Sequence, residues 1–468
     1  MKFVDRHEEQ ERLKRVMSAR EAALVVLWGR RRVGKTRLLV DWVQREGGVY
    51  WVADESSAKI QRRYFADAIE SRLPGFGQVE YPDWASLWSR LCREAKQAKW
   101  RGPIVVDELP YLLGSSPELP SVVQRIVDHE AKDARLVIAL SGSSQRMMQD
   151  LTLSRNAPLY GRASEVMKLQ PLPAGYLGQA LGLSDPRRIV ESYACWGGIP
   201  RYWELALPFD NLRAAVDALV LSPLGALHDE PSRLLLEESP SAGALRPLLD
   251  VIGAGVHRGS EIAGRLGQPA TSLARPLSRL QELDIVAREI PFGEPERSGK
   301  RALYKLADPF LRLWFSIVAP RRSMLMQASQ RVRLKLFDER LSHLCAMAWE
   351  DLCRLAVPRL SERFGGREFG LSRRFWLGNG PEWDVVAESV AGGALLLGEA
   401  KWLAHDPSVS EVEQIVRTLI AKGIPSTWRA RGVRHAVFLP YLPRGMKRSL
   451  HGGAVHLIDA ATVLAALR

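Results

Sequence analysis

One stretch limits this chain more than any other: residues 22–36 read AALVVLWGRRRVGKT. An apolar, β-branched run stops at Gly29, and Gly34-Lys35-Thr36 opens a segment whose apolar residues (Leu38, Leu39, Trp42, Val43) recur at helical spacing. Strand, glycine-bounded loop and helix form the setting in which G-x-x-x-x-G-K-[ST] wraps phosphate. Gly29 and Gly34 permit backbone conformations that turn successive N–H groups into one concavity, closed by the helix N-terminus. Lys35 is expected on the β- and γ-phosphates of ATP and Thr36 on Mg²⁺. Arg30, Arg31, Arg32 and Val33 between the glycines, and Arg37 after them, are expected around the nucleotide. The fold class that follows is α/β, with a P-loop NTPase in the first half.

A partner for that loop is Ile104-Val105-Val106-Asp107-Glu108, a buried-strand pattern ending in two carboxylates. Asp107 is expected to hold Mg²⁺ through water. Glu108, beside the metal but not on it, is expected to orient or deprotonate the attacking water. A further strand, Arg135 to Leu140, ends in Ser141-Gly142-Ser143-Ser144. If it is inserted between the two strands just named, Ser141 or Ser143 presents a polar group to the γ-phosphate. Arg155 and Arg162 are candidates for a charge-stabilising arginine, and read equally well as structural ones.

Taken in order, Phe3 to Arg6, Gly29 to Thr36, Asp107-Glu108, Ser141 to Ser144 and Pro158 to Arg162 resemble the archaeal-type ATPase family. That family belongs to the STAND-like signalling ATPases related to origin-recognition and Cdc6-type proteins, and it has bacterial members. Trp196-Gly197-Gly198-Ile199-Pro200-Arg201-Tyr202 is similar to its Gly-Gly-x-Pro segment. The resemblance, which covers residues 1 to about 235, implies that Pro200 sits in a helical lid facing nucleotide, with Phe3 to Arg6 beside the adenine.

Composition bears on partners and place. Lys plus Arg (66) exceeds Asp plus Glu (53), a formal net charge of +13 that favours a polyanionic partner. No apolar run approaches the ~18 residues of a membrane span, and the charged start (Lys2, Asp5, Arg6, Glu8) is wrong for the core of a secretory signal. Cys92, Cys195, Cys345 and Cys353 form no paired framework, as in a reducing compartment. A cytoplasmic chain without membrane contact is expected.

From residue 241 the pattern changes. Leu245 to Ile252 is apolar at helical spacing, Ser260 to Leu266 reads as a short helix with the serine as N-cap, and Thr271 to Leu283 as a third helix. Ile285 to Pro291 and Ala302 to Leu306 read as strands flanking a polar loop, Phe292 to Arg301. This is winged-helix order. Its third helix, with Arg275, Ser278 and Arg279 off the apolar face, is expected to read DNA, although such modules also serve as protein-interaction or lid elements.

The last third carries a different constellation. Glu382 to Ala387 and Ala394 to Trp402 read as strands about a Gly392-Gly393 hairpin. A turn centred between Ala391 and Gly392 pairs 390 with 393, and carried outward sets Asp384 opposite Glu399 with Lys401 on the same face. Two opposed carboxylates and a lysine can hold Mg²⁺ and polarise a phosphodiester. The spacing resembles the restriction-endonuclease-like superfamily, and the surrounding segment resembles the domain of unknown function that accompanies archaeal-type ATPases. By that resemblance Glu350 supplies another acid for the metal. The superfamily's proline is absent, since Trp383 precedes Asp384. Six Lys or Arg and no acid between Arg429 and Arg448 add a basic stretch suited to phosphate.

The expected order is a P-loop core over 1–170, a helical lid over 171–235, a winged helix over 236–320 and a restriction-endonuclease-like domain over 321–468. The expected function is ATP hydrolysis coupled to DNA binding and Mg²⁺-dependent DNA cleavage. A scaffold or DNA-binding switch whose last domain is catalytically silent is the alternative. DNA is the expected partner, with self-association into a homo-oligomer left open.

Overall fold

The apolar run before Gly29 becomes strand β1 (Ala23–Trp28), and Lys35–Glu46 becomes the helix after the loop. Strands β2 (Val49–Val52), β3 (Ile104–Asp107), β4 (Val137–Gly142) and β5 (Glu165–Lys168) complete a parallel sheet in the order β2-β3-β4-β1-β5. The strand β4 therefore lies between β1 and β3, the inserted position expected from sequence. It begins two residues later than the apolar pattern suggested and runs on through Ser141 and Gly142. β3 and β4 are buried throughout, as parallel strands covered on both faces must be. The carboxyl ends of β1, β3 and β4 deliver Gly29, Asp107-Glu108 and Ser143 to one edge of the sheet, where open α/β sheets bind ligands.

The computed structural model describes residues 3–152, 157–238, 245–297, 299, 301–378, 380–425, 428 and 432–468. It forms two compact units, Asp5–Pro171 and a second made of residues up to Val4 with Leu172–Arg468.

In the second unit, helices Arg246–Gly253, Gly259–Leu266 and Ala274–Glu282 precede an antiparallel hairpin of β6 (Val286–Glu289) and β7 (Leu303–Leu306). Leu273, Leu277, Leu280 and Leu283 are buried, so the apolar stripe of the third helix faces the core. The middle helix departs from expectation: Arg258 is its N-cap and Ser260 lies in its first turn, because Arg258 bridges to Leu303 in extended conformation.

A mixed six-stranded sheet follows, in the order β12 (Ser449–Leu450), β13 (Val455–Asp459), β11 (Gly432–Leu439), β10 (Ala394–Ala400), β9 (Trp383–Glu388), β8 (Arg373–Phe375). Helix Gln330–Ala356 covers one face, packing Trp349 with Leu396, Ala436 and Phe438. Helix Val409–Ala421 covers the other, packing Val412, Val416 and Leu419 with Leu395, Leu397 and Val437. That second helix starts at a capping box, Ser408 with Glu411. Residues β9 and β10 pair antiparallel, from Leu395 with Glu388 to Gly398 with Val385.

Candidate functional site

The phosphate loop closes on itself. Lys35 Nζ donates to the carbonyls of Gly29 (2.8 Å) and Arg30 (3.3 Å), holding a buried ammonium inside the cradle. A Cβ at Gly29 would stand 2.6 Å from the Leu169 carbonyl oxygen, and Gly34 has φ +101°, so neither position accepts a side chain without strain. Behind the loop, buried Arg6 donates to the Val33 carbonyl (2.9 Å) and to the Gln170 carbonyl (2.7 Å). Burial lowers its pKa, and Glu9 at 3.0 Å opposes that shift. Arg31 reaches the Tyr111 hydroxyl (3.0 Å). Val33 is buried, Arg30 is buried, and Arg32 takes a left-handed φ of +67° in the loop.

The catalytic edge assembles from three strands. Thr36 donates its hydroxyl to Asp107 Oδ2 at 3.1 Å, which brings together the two groups expected around Mg²⁺. The donor set of hydroxyl plus buried carboxylate suits that hard cation. Tyr50, at the start of β2, donates to the same Asp107 oxygen at 2.5 Å. Its pKa is raised, first by burial and then by the Asp107 charge. Tyr50 went unnoticed in the sequence because nothing local marks a strand tyrosine; only the β2–β3 register, which pairs Tyr50 with Val105, aims it there. Glu108 sits at φ +52° and accepts from the Ser143 hydroxyl (2.8 Å) and the Ser143 amide (3.3 Å). Of the two serines weighed, Ser143 touches the carboxylate, whereas Ser141 Oγ is buried with no partner among the described residues.

Four other residues are expected at this site from sequence. Arg162 is held by both oxygens of Asp128 (2.9 and 3.0 Å) and by the carbonyls of Pro158 and Tyr160, a structural engagement. Arg155 lies outside the described residues. Pro200 opens the helix Pro200–Ala206 in the unit that begins at Leu172. Arg37 is exposed on the first turn after the loop.

The C-terminal sheet carries the second cluster. Continuing the β9–β10 register by one pair sets Asp384 opposite Glu399. Glu399 extends the Leu395–Leu397 row, on the face covered by Val409–Ala421. Burial and then the Glu399 charge raise the Asp384 pKa, while Asp384 Oδ2 accepts from the Ala400 amide at 3.0 Å. Lys401 and Lys422 each form an ion pair with Glu399, one on either oxygen. Lys422, which also donates to the Glu382 carbonyl (2.7 Å), was missed in the sequence because it arrives from the far end of a helix. Glu350 lies within electrostatic reach on Gln330–Ala356. Burial, then the Asp384 charge, pushes its pKa up to about 7 against Arg354 and Arg374.

Glu350, Asp384 and Glu399, the acids expected to share a metal, lie here with two lysines among them. Among the described residues no group of three His, Cys, Asp or Glu side chains is arranged to hold a metal ion. The reason is local: the two ammonium groups already neutralise Glu399, and Asp384 is partly used by the backbone. A cation would have to displace a lysine, and Lys401, 45% exposed, is the one free to swing out.

The expected DNA contacts are thinned as well. Arg275 and Ser278 are exposed, but Arg279 is half-buried and pairs with Glu282. The wing does not project freely. The Phe292 amide donates to the Arg374 carbonyl (2.9 Å), the Phe292 ring packs edge-on against Trp428 (5.5 Å), and Glu296 pairs with Arg373 (2.7 Å). In the basic stretch, Arg444 and Lys447 are exposed, Arg448 is tied to Asp459, and Arg429 and Arg431 lie outside the described residues.

Comparison with known proteins agrees with this anatomy. Residues 3–204 match a family model described as an ATPase domain predominantly from Archaea. Residues 314–415 match a second, described as archaeal and bacterial proteins of unknown function. An uncharacterised protein of Methanocaldococcus jannaschii is 27% identical over 423 residues, 90% of this chain and 91% of its own. Among solved structures, the Walker-type ATPase of Pyrococcus abyssi is similar with a TM-score of 0.54 at 21% identity, covering 67% of this chain and 96% of that one. That likeness is one of fold.

Proposed function

Starting from an ATPase whose 3–204 segment is of the archaeal ATPase-domain family, we propose that its nucleotide state governs DNA binding by the C-terminal unit. The observation that carries the ATP half is the Thr36–Asp107 and Glu108–Ser143 pairing at one sheet edge. Lys35, released from its loop carbonyls, binds the β- and γ-phosphates. Asp107 and Thr36 hold Mg²⁺, which supplies charge neutralisation at those phosphates when bound. Glu108, fixed by Ser143, orients the attacking water and takes its proton.

DNA as the partner is supported by the +13 net charge, by exposed Arg275 on the third helix, and by exposed Arg444 and Lys447. Because the wing rests on the C-terminal sheet, the third helix is the contact that remains open in the helix–helix–helix–hairpin module. A DNA gel-shift series with and without ATP tests this reading. Affinity should fall steeply with salt and change at least severalfold between ATP and ADP. Salt-insensitive binding, or identical affinity in both nucleotides, overturns it.

Cleavage is the finer reading, favoured by one observation: Asp384 and Glu399 lie opposite each other beside Lys401. A supercoiled plasmid assay with Mg²⁺ or Mn²⁺ should show nicking that Asp384→Ala abolishes. Nicking that persists in Asp384→Ala, or none in the native chain, leaves the domain as a DNA grip.

A further inference from the structure

A cavity of about 710 Å³ opens between the β6–β7 hairpin and the C-terminal sheet, and it borders the Asp384 cluster through Arg354 and Arg374. Its volume falls in the range of small-molecule sites, about 300–1,000 Å³. The walls are strongly cationic: Arg288, Lys305, Arg312, Arg354, Arg373 and Arg374 line it against only Glu289, Glu296 and Asp351. Deep in the cavity Asp351 accepts from Lys305 (2.8 Å), Arg312 (2.6 Å) and Arg354 (2.6 Å), with Glu289 also on Lys305 (3.1 Å), so three cations meet two carboxylates. Arg288 and Arg373 add positive charge toward the mouth. Ala287, Ile290, Leu355 and Leu371 give the cavity an apolar side.

What occupies the mouth is informative. Glu296, at the tip of the hairpin loop, has a side chain 82% exposed, yet its carboxylate reaches Arg373 at 2.7 Å. Its backbone carbonyl accepts from Arg288 at 2.7 Å. The exposed carboxylate on Arg373 is an internal anion in a position where an external one would bind, and Arg288 stands beside it on the Glu296 backbone. In the same wall, Ser372 Oγ and Arg374 Nε are buried with no hydrogen-bond partner among the described residues, so the polar lining is incomplete.

We propose that this cavity binds a small phosphorylated organic anion. Its phosphate takes the place of the Glu296 carboxylate on Arg373, beside Arg288, and its apolar part lies along Ile290 and Leu371. Planar guanidinium groups suit phosphate oxygens in paired hydrogen bonds, which favours a compact phosphate ester over a carboxylate. A concave site of this volume matches the size of such a molecule. The inference depends on neither the DNA reading nor the cleavage reading.

The test uses the full chain with Lys35→Ala, so that the phosphate loop does not compete, and two probes, AMP and inorganic pyrophosphate, in isothermal titration calorimetry. Saturable binding of AMP is expected. Arg288→Glu with Arg373→Glu should weaken it about tenfold or more. Glu296→Gln, an exposed change that leaves the fold intact, should tighten it severalfold by removing the internal competitor. Pyrophosphate binding as tightly as AMP identifies the phosphate alone as the determinant and still supports an anion site. Absence of saturable binding for both probes overturns the proposal, as does an affinity that Glu296→Gln leaves unchanged. Loss of duplex DNA binding alone in the Arg288/Arg373 variant also overturns it, because the arginines would then be a DNA contact.

Discussion

Lys35 shows what a single side chain contributes at the phosphate loop. No other lysine is within the loop, and the neighbouring arginines are geometrically different, so Lys35→Ala should lower ATP turnover by about 10²-fold or more, read in a steady-state phosphate-release assay. Activity near that of the native chain would remove the loop from the reaction. Glu108→Gln keeps the shape and the Ser143 contact but not the base. It should bind ATP normally while hydrolysing it about 10²–10⁴-fold more slowly. The distinction between the two variants is made by calorimetric ATP affinity, intact in the second and lost in the first. A pH effect belongs at this scale too. Burial alone would raise the Asp459 pKa, but Arg448 and Thr462 bind the carboxylate and hold it below the usual range. Its folded pKa being depressed, the stabilisation is full above the unfolded value of ~3.9 and is lost as pH falls through the folded one. Thermal melts of Asp459→Asn should therefore be less stable than the native chain at pH 7 and converge with it in acid. Parallel curves would exclude the linkage.

At the scale of elements, the Asp351 node joins three segments that sequence keeps apart. Lys305 on β7, Arg312 on helix Pro309–Ile317 and Arg354 one turn along its own helix all converge on one half-buried carboxylate. The pKa of Asp351 is depressed well below the carboxylate range: burial opposes the shift and the three cations outweigh it. Arg354 then passes on to Glu289 of β6 and to the Asp384 carbonyl (2.9 Å) of β9. Asp351→Ala leaves those cations facing one another and should cost about 3–5 kcal/mol in denaturant unfolding, because a buried charge is stranded. A loss below about 1 kcal/mol would show the node to be solvated. None of this was legible beforehand, and the reason is physical. The β9–β10 register was readable because two glycines fix a hairpin and the period of a strand is two. The insertion of β4 between β1 and β3, on which the role of Ser143 was conditioned, is what the sheet has. Arg279 meets Glu282 three residues on along its own helix, whereas Arg448 read as a phosphate contact because only the fold brings Asp459 to it. Lys422 was invisible for the same reason, since its partner lies 23 residues away across a helix.

For the whole molecule, the unit running to Arg468 holds the helix–helix–helix–hairpin module and the C-terminal sheet in one contiguous apolar core, from Leu248 to Ile458. Those two parts should then unfold together, giving one calorimetric transition for Leu172–Arg468 instead of two. Two separated transitions within that unit would mean that the shared core is not cooperative. The other unit has a different property, set by Arg6. The chain enters it at Asp5 and leaves it at Pro171, and the guanidinium of Arg6 grips the Gln170 carbonyl at 2.7 Å. Entrance and exit are thus fastened side by side, as in a cassette clipped into a host sequence. Such a segment can be lifted out, exchanged for a cousin with different turnover, or mounted in an unrelated scaffold, provided both ends and their clip travel together.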